Sequence, residues 1–99
     1  ALFMRYHQAF QDIPEVELLQ EPPECQSNYW LQTLKLSDSV ANERDAILEA
    51  TNDAGLMTRP VWKLLHTLVP YQDCPRAPLS VAESLKQRLI NLPSSAGLV

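Results

Sequence analysis

Asn28-Tyr29-Trp30-Leu31-Gln32-Thr33-Leu34-Lys35-Leu36 is the stretch on which the fold turns. It carries two aromatics, three leucines and a threonine, with no Pro or Gly, a composition suited to a pleated, half-buried surface. Apolar side chains fall on both of its faces, which predicts a central strand. Before it, Glu21-Pro22-Pro23-Glu24 reads as a rigid, exposed connector. Earlier still, Glu15-Val16-Glu17-Leu18-Leu19 alternates and predicts a short strand. Residues 1–13 predict a helix, because Leu2, Tyr6, Ala9, Phe10 and Ile13 recur at helical spacing. Pro14 ends that helix.

After the central strand, Asn42-Glu43-Arg44-Asp45 predicts a helix start, with Asn42 as the cap and two carboxylates at the positive end of the dipole. Ile47, Ala50 and Ala54 share a face, and Gly55 supplies the left-handed residue that closes the helix. Leu56 to Arg59 predicts a brief strand stopped by Pro60, and Val61 to Val69 fits either a helical turn or a loop. The three prolines between Pro70 and Pro78 require irregular chain. Ser80-Val81-Ala82-Glu83 has the form of a capping box. The helix it opens turns Ala82, Leu85 and Leu89 inward, ends at Asn91-Leu92-Pro93, and leaves Ser94 to Val99 as a tail. Helices and strands thus mix without regular βαβ alternation, predicting an α+β fold: a small, mostly antiparallel sheet packed by helices on one face.

The 99 residues suit one domain. Leu, Ile, Val and Phe make up 27 of them, above the roughly 20% below which disorder is expected. Eight basic residues against twelve acidic leave a net charge of −4 with no Lys/Arg cluster. That composition argues against nucleic-acid and anionic-membrane partners. No apolar run approaches the roughly 18 residues of a membrane span, and the start lacks the pattern of a signal peptide. Cys25 and Cys74 are expected as free thiols in a reducing compartment. Two glycines, Gly55 and Gly97, cannot make a Gly-rich phosphate loop. His7, Cys25, His66 and Cys74 show no metal-ligand spacing.

Thr58-Arg59-Pro60-Val61-Trp62-Lys63-Leu64-Leu65-His66 is the most unusual segment. Arg, Trp, Lys and His within one loop can offer donors to an anionic ligand. The same residues also fit a structural role, with Trp62 in the core, Arg59 paired to an acid and His66 packed on a helix. Asn28-Tyr29-Trp30 carries the same two readings, core aromatics or the lining of a sugar or nucleotide pocket. Asp45 and Glu49, four apart, read as a solvated acidic face.

The order Asn28-Tyr29-Trp30-Leu31, Asn42-Glu43-Arg44-Asp45-Ala46-Ile47-Leu48, Ala54-Gly55-Leu56-Met57-Thr58-Arg59-Pro60-Val61-Trp62, Leu65-His66 and Leu92-Pro93-Ser94-Ser95 resembles the C-terminal part of DegT/StrS-type nucleotide-sugar aminotransferases. The resemblance implies the small C-terminal domain of an aspartate-aminotransferase-type (fold type I) enzyme, with 1–13 as a linking helix and 14–99 as a small α+β domain. It implies a dimeric, cytoplasmic parent that uses pyridoxal phosphate to move an amino group from glutamate to a nucleotide-linked keto sugar. The family's Schiff-base lysine lies in the large domain, and Lys35, Lys63 and Lys86 do not sit in its context. The resemblance therefore assigns no catalytic, cofactor-binding or metal residue to this chain, which is expected to be inactive alone.

By resemblance, His66 faces the sugar nucleotide, Arg59 and Trp62 shape its loop, Lys63 stands at a variable position, and Asn28 and Tyr29 lie near the cleft mouth. Arg59 is expected to be held by a salt bridge behind the loop. Two other readings stand beside this one: a free-standing, non-enzymatic α+β binding module, and a small hydrolase using His66 with a distant Ser or Cys. A domain cut from a larger enzyme predicts an exposed apolar patch where its neighbour sat.

Overall fold

Leu36 and Ile90 have no exposed surface at all, and both lie on paired strands. The computed structural model describes residues 1–98; Val99, the end of the expected tail, lies outside the described residues. Four antiparallel strands, β1 (Val16–Leu18), β2 (Gln32–Leu36), β3 (Arg59–Pro60) and β4 (Leu89–Leu92), form one sheet in the order β1-β2-β4-β3. Helices α1 (Leu2–Phe10), α2 (Arg44–Asp53) and α3 (Ser80–Arg88) complete it. The α+β class and the antiparallel sheet agree with the sequence reading. Leu18, Leu34 and Ile90 stand side by side across three strands and, with Leu36, make the buried apolar core.

β2 is central, between β1 and β4, but the expectation for its faces needs correcting. Gln32, Leu34 and Leu36 are buried, while Thr33 and Lys35 occupy the other, half-buried face. Those two are satisfied across the ladder. The Thr33 hydroxyl donates to Asn91 Oδ1 at 3.0 Å, and Lys35 Nζ lies 2.7 Å from Glu17 Oε2.

The strand also starts later than expected. Tyr29 adopts a left-handed φ of 48°, and two side chains build the turn around it. Ser27 Oγ accepts from the Tyr29 N–H and Asn28 Oδ1 from the Trp30 N–H, both at 3.0 Å. Short polar side chains that bond the backbone locally break the extended run that composition alone predicts.

The last strand replaces the end of the helix that the sequence predicts. Leu85 and Leu89 are four apart, so the α3 pattern continues smoothly into Leu89-Ile90-Asn91-Leu92. A four-residue stretch with apolar Leu89, Ile90 and Leu92 satisfies either period, and only its partners decide. β4 finds β2 on one side and β3 on the other, and Leu89 turns extended at φ −95°, ψ 138°.

The expected caps also differ. A 3₁₀ turn over Asp38–Glu43 runs directly into α2, so Asn42 is not its cap. Ser80 is the first helical residue of α3, and its side chain makes no cap bond. Pro60 belongs to β3 rather than stopping it, which an edge position permits.

Gly55 closes α2 as expected. Its N–H donates to the Asn52 carbonyl at 3.0 Å, the Leu56 N–H donates to the Thr51 carbonyl at 2.8 Å, and its φ is +84°, a Schellman closure. Nothing lies within 4 Å of a Cβ added there, so Gly55→Ala pays only the left-handed backbone penalty. The variant should lose about 1–2 kcal/mol, read as a drop of roughly 4–8 °C in Tm per kcal/mol.

α1 is shorter than the predicted 1–13 because Gln11 and Asp12 form a turn before Pro14. Its Tyr6 hydroxyl donates to the Pro93 carbonyl at 2.6 Å, tying the first helix to the end of β4. Burial raises the Tyr6 phenol above its ordinary value. The neutral phenol is favoured in the folded chain, so its contribution is complete below pH 10 and is lost as pH rises through the folded pKa. Alkaline titration should therefore destabilise the chain above pH 10. Tyr6→Phe should flatten that dependence while costing about 1 kcal/mol at neutral pH, both read from urea midpoints.

Candidate functional site

The closure at Gly55 and the turn at Tyr29 leave apolar side chains standing out into water. Trp30 is 67% exposed, Met57 67% and Trp62 75%. These residues line one open groove of about 940 Å³. Its floor and far wall come from β3, from the end of β4 through Ser94 and Ser95, and from Lys86 of α3.

The charges of the groove are one-sided. Arg59, Lys63 and Lys86 line it, and no Asp or Glu does, although acids outnumber bases in the chain as a whole. The four ion pairs among the described residues involve none of the three. Arg59 corrects an expectation, because its partners are neutral. Nη1 donates to Asn52 Oδ1 and to the Thr58 carbonyl, each at 2.7 Å, so its charge is held in place without being cancelled. Asn52 in turn donates to the Thr58 carbonyl and hydroxyl at 3.1 Å, locking the Gly55 turn to the start of β3.

Lys86 Nζ donates to the Val61 carbonyl at 2.6 Å. Its pKa is lowered, first by burial and then by the nearby cations Arg44 and Lys63, with Asp45 opposing. A groove lined by three cations, two exposed indoles and no acid suits an anion that carries a flat ring.

The six residues singled out from the sequence divide. Arg59, Trp62 and Lys63 line the groove. His66 lies in a separate cleft of about 340 Å³, where its Nε2 is 3.3 Å from Glu83 Oε1. Asn28 builds the turn before Trp30. Tyr29 stacks on Phe3 with ring centroids 4.1 Å apart, and its hydroxyl accepts from the Glu21 N–H at 3.0 Å. These two residues present Trp30 to the groove without lining it. Trp30, for which the sequence leaves core and pocket lining both open, lines the groove, as does Lys86, which no local pattern marks as a contact.

The residues present do not fit pyridoxal phosphate. That cofactor needs a free lysine amine and a partner for its ring nitrogen. Lys35 is paired with Glu17, Lys86 is bonded to Val61, and no carboxylate lines the groove beside Lys63. Among the described residues no group of His, Cys, Asp and Glu could hold a metal ion, and both cysteines are free and exposed. No helix among them is long and apolar enough to cross a membrane.

Comparison with known proteins places this geometry. The model of the DegT/DnrJ/EryC1/StrS aminotransferase family matches residues 1–99. GDP-perosamine synthase of Caulobacter vibrioides is 30% identical over 70 residues, covering 71% of this chain and 19% of the relative. Among solved structures, DesI, determined in the presence of its TDP-sugar product, superposes with a TM-score of 0.81 at 26% identity. That match covers 93% of this chain and 24% of DesI. PseC of Helicobacter pylori, an aminotransferase of pseudoaminic acid biosynthesis, shares the fold with a TM-score of 0.80 at 24% identity. It covers 92% of this chain and 25% of PseC. The chain thus spans about a fifth of the curated relative it matches.

Proposed function

Because the chain belongs to the DegT/DnrJ/EryC1/StrS aminotransferase family, we propose that it is the small C-terminal domain of a sugar aminotransferase and that its groove is one wall of the substrate cleft. The observation that carries this reading is the groove itself: Arg59, Lys63 and Lys86, without a carboxylate, between Trp30 and Trp62. A nucleotide-linked sugar has a diphosphate for the cations and a base for an indole face. The relatives act on or were solved with molecules of that class, as GDP-perosamine synthase and the TDP-sugar product of DesI indicate by name.

In this proposal the whole enzyme is a cytoplasmic dimer that moves an amino group from glutamate to a nucleotide-linked keto sugar. Pyridoxal phosphate and its lysine belong to the large domain, a partner this chain does not itself supply. Residues 1–13 form the link and 14–99 the small domain. Arg59, Trp62 and Lys63 contact the nucleotide diphosphate directly, and Asn28 and Tyr29 set the mouth through Trp30. His66 is kept as the contact that the resemblance turns towards the sugar, from the far end of the same loop.

Titrating the chain with guanosine diphosphate or thymidine diphosphate tests the reading. Tryptophan emission should change saturably, and inorganic pyrophosphate should compete. Absence of any change at millimolar nucleotide, with the fold intact by circular dichroism, would overturn it.

A further inference from the structure

Five residues line both the 940 Å³ groove and a second cleft of about 450 Å³ beside it: Leu31, Val61, Trp62, Lys86 and Asn91. They form the partition between the two spaces. Leu31 and Asn91 are fixed by the adjoining β2 and by β4, but Val61 and Trp62 are not. β3 ends at Pro60, and regular structure resumes only at the 3₁₀ turn Leu65–Thr67. Trp62, 75% exposed, has little packing to hold it. Among the described residues, the hydrogen bond that ties Val61 and Trp62 to the body of the domain is the one from Lys86 Nζ to the Val61 carbonyl at 2.6 Å, while the far end of the loop is held by His66 beside Glu83.

The other end of that tie is anchored. Lys86 sits in the last turn of α3, and its own carbonyl accepts from Arg44 Nη1 of α2. A line of contacts therefore runs from α2 through α3 to the loop that carries Trp62 and Lys63. The ammonium holds its place although Arg44 and Lys63 are near and repel it, a cost that a directed, charge-assisted bond offsets.

We propose that Lys86 is the positioning residue of the groove: through the Val61 carbonyl it fixes the partition, so that Trp62 and Lys63 are presented to the ligand. This deepens the reading of the groove as a nucleotide-diphosphate site and rests on it for the ligand alone.

Two readouts separate the two ideas. The chain has two tryptophans, so a Trp30→Phe background isolates Trp62. Without ligand, Lys86→Met in that background should lower Trp62 anisotropy and raise its quenching by acrylamide about twofold, while the thermal transition stays cooperative. Lys86→Arg, which keeps a charged donor of similar reach, should restore both. In the native background, guanosine diphosphate affinity should fall about tenfold in Lys86→Met and recover in Lys86→Arg. If Lys86→Met does not fold, Lys86→Gln is read instead, since it keeps a polar, uncharged head but is too short to hold Val61.

Unchanged Trp62 anisotropy in the neutral variant overturns the proposal, and so does lost affinity with unchanged anisotropy, which makes Lys86 a plain charge contact. If the native chain binds no guanosine diphosphate, the functional reading fails, and the ligand-free anisotropy still decides the role of Lys86.

Discussion

Ile90→Ala should remove a large share of the chain's stability at 25 °C. Ile90 has no exposed surface and stands between Leu34 of β2 and Pro60 of β3. Truncating such a side chain removes its transfer free energy and opens a cavity, together about 2–5 kcal/mol. Among the described residues only Leu18, Leu34, Leu36 and Ile90 are buried apolar residues, so few neighbours can collapse into the space. Domains of this length have roughly 5–15 kcal/mol in total, and so small a core sets this one near the low end. Equilibrium urea unfolding checks the expectation, with Leu56→Ala as the reference. Leu56 is an exposed leucine of the groove, and its truncation should shift the midpoint little. If Ile90→Ala cost no more than Leu56→Ala, the core would have been placed wrongly.

Lys63→Glu should weaken guanosine diphosphate binding about 10- to 100-fold, the range for losing a charge-assisted contact and adding a repulsive one. The control is Arg76→Glu, which changes the net charge by the same amount. Arg76 bonds only the Gln72 carbonyl, at 3.4 Å, and does not line the groove. Its affinity should stay within about twofold of the native chain, because an exposed charge that makes no contact with the ligand is screened by salt. The native affinity should also fall with added salt, and the Lys63→Glu affinity less steeply. Equal losses in both variants would mean that net charge, not the groove, governs binding. Isothermal titration at two ionic strengths distinguishes these results.

Much of the chain is legible because its signals are local. Gly55 with φ +84° closes the second helix, and the alternation around Leu18 gives β1. Each of these depends on backbone chemistry within a few residues. The order of motifs around Arg59-Pro60-Val61-Trp62 was likewise enough to name the family that the comparisons show.

The errors share one physical origin. Asn28 to Leu31 has strand composition, yet Ser27 and Asn28 spend their side chains on a turn, and composition does not report where a hydroxyl or amide points. Leu89 to Leu92 fits a helix period as well as a strand, and pairing with β2 and β3 settles it. Glu83 looks like half of a capping box but lies beside His66 instead. For Arg59, an amide from α2 takes the place of the expected acid.

The sequence by itself determined the α+β class, the close of α2 at Gly55 and the family, since propensity, φ preference and motif order act over short distances. Only the tertiary structure decided that β4 is a strand, and that Trp30, Arg59, Trp62, Lys63 and Lys86 share one groove without an acid. Those residues lie up to 56 positions apart (86 − 30). Their meeting depends on which strand pairs with which, a long-range choice made by burying Leu36 and Ile90 together.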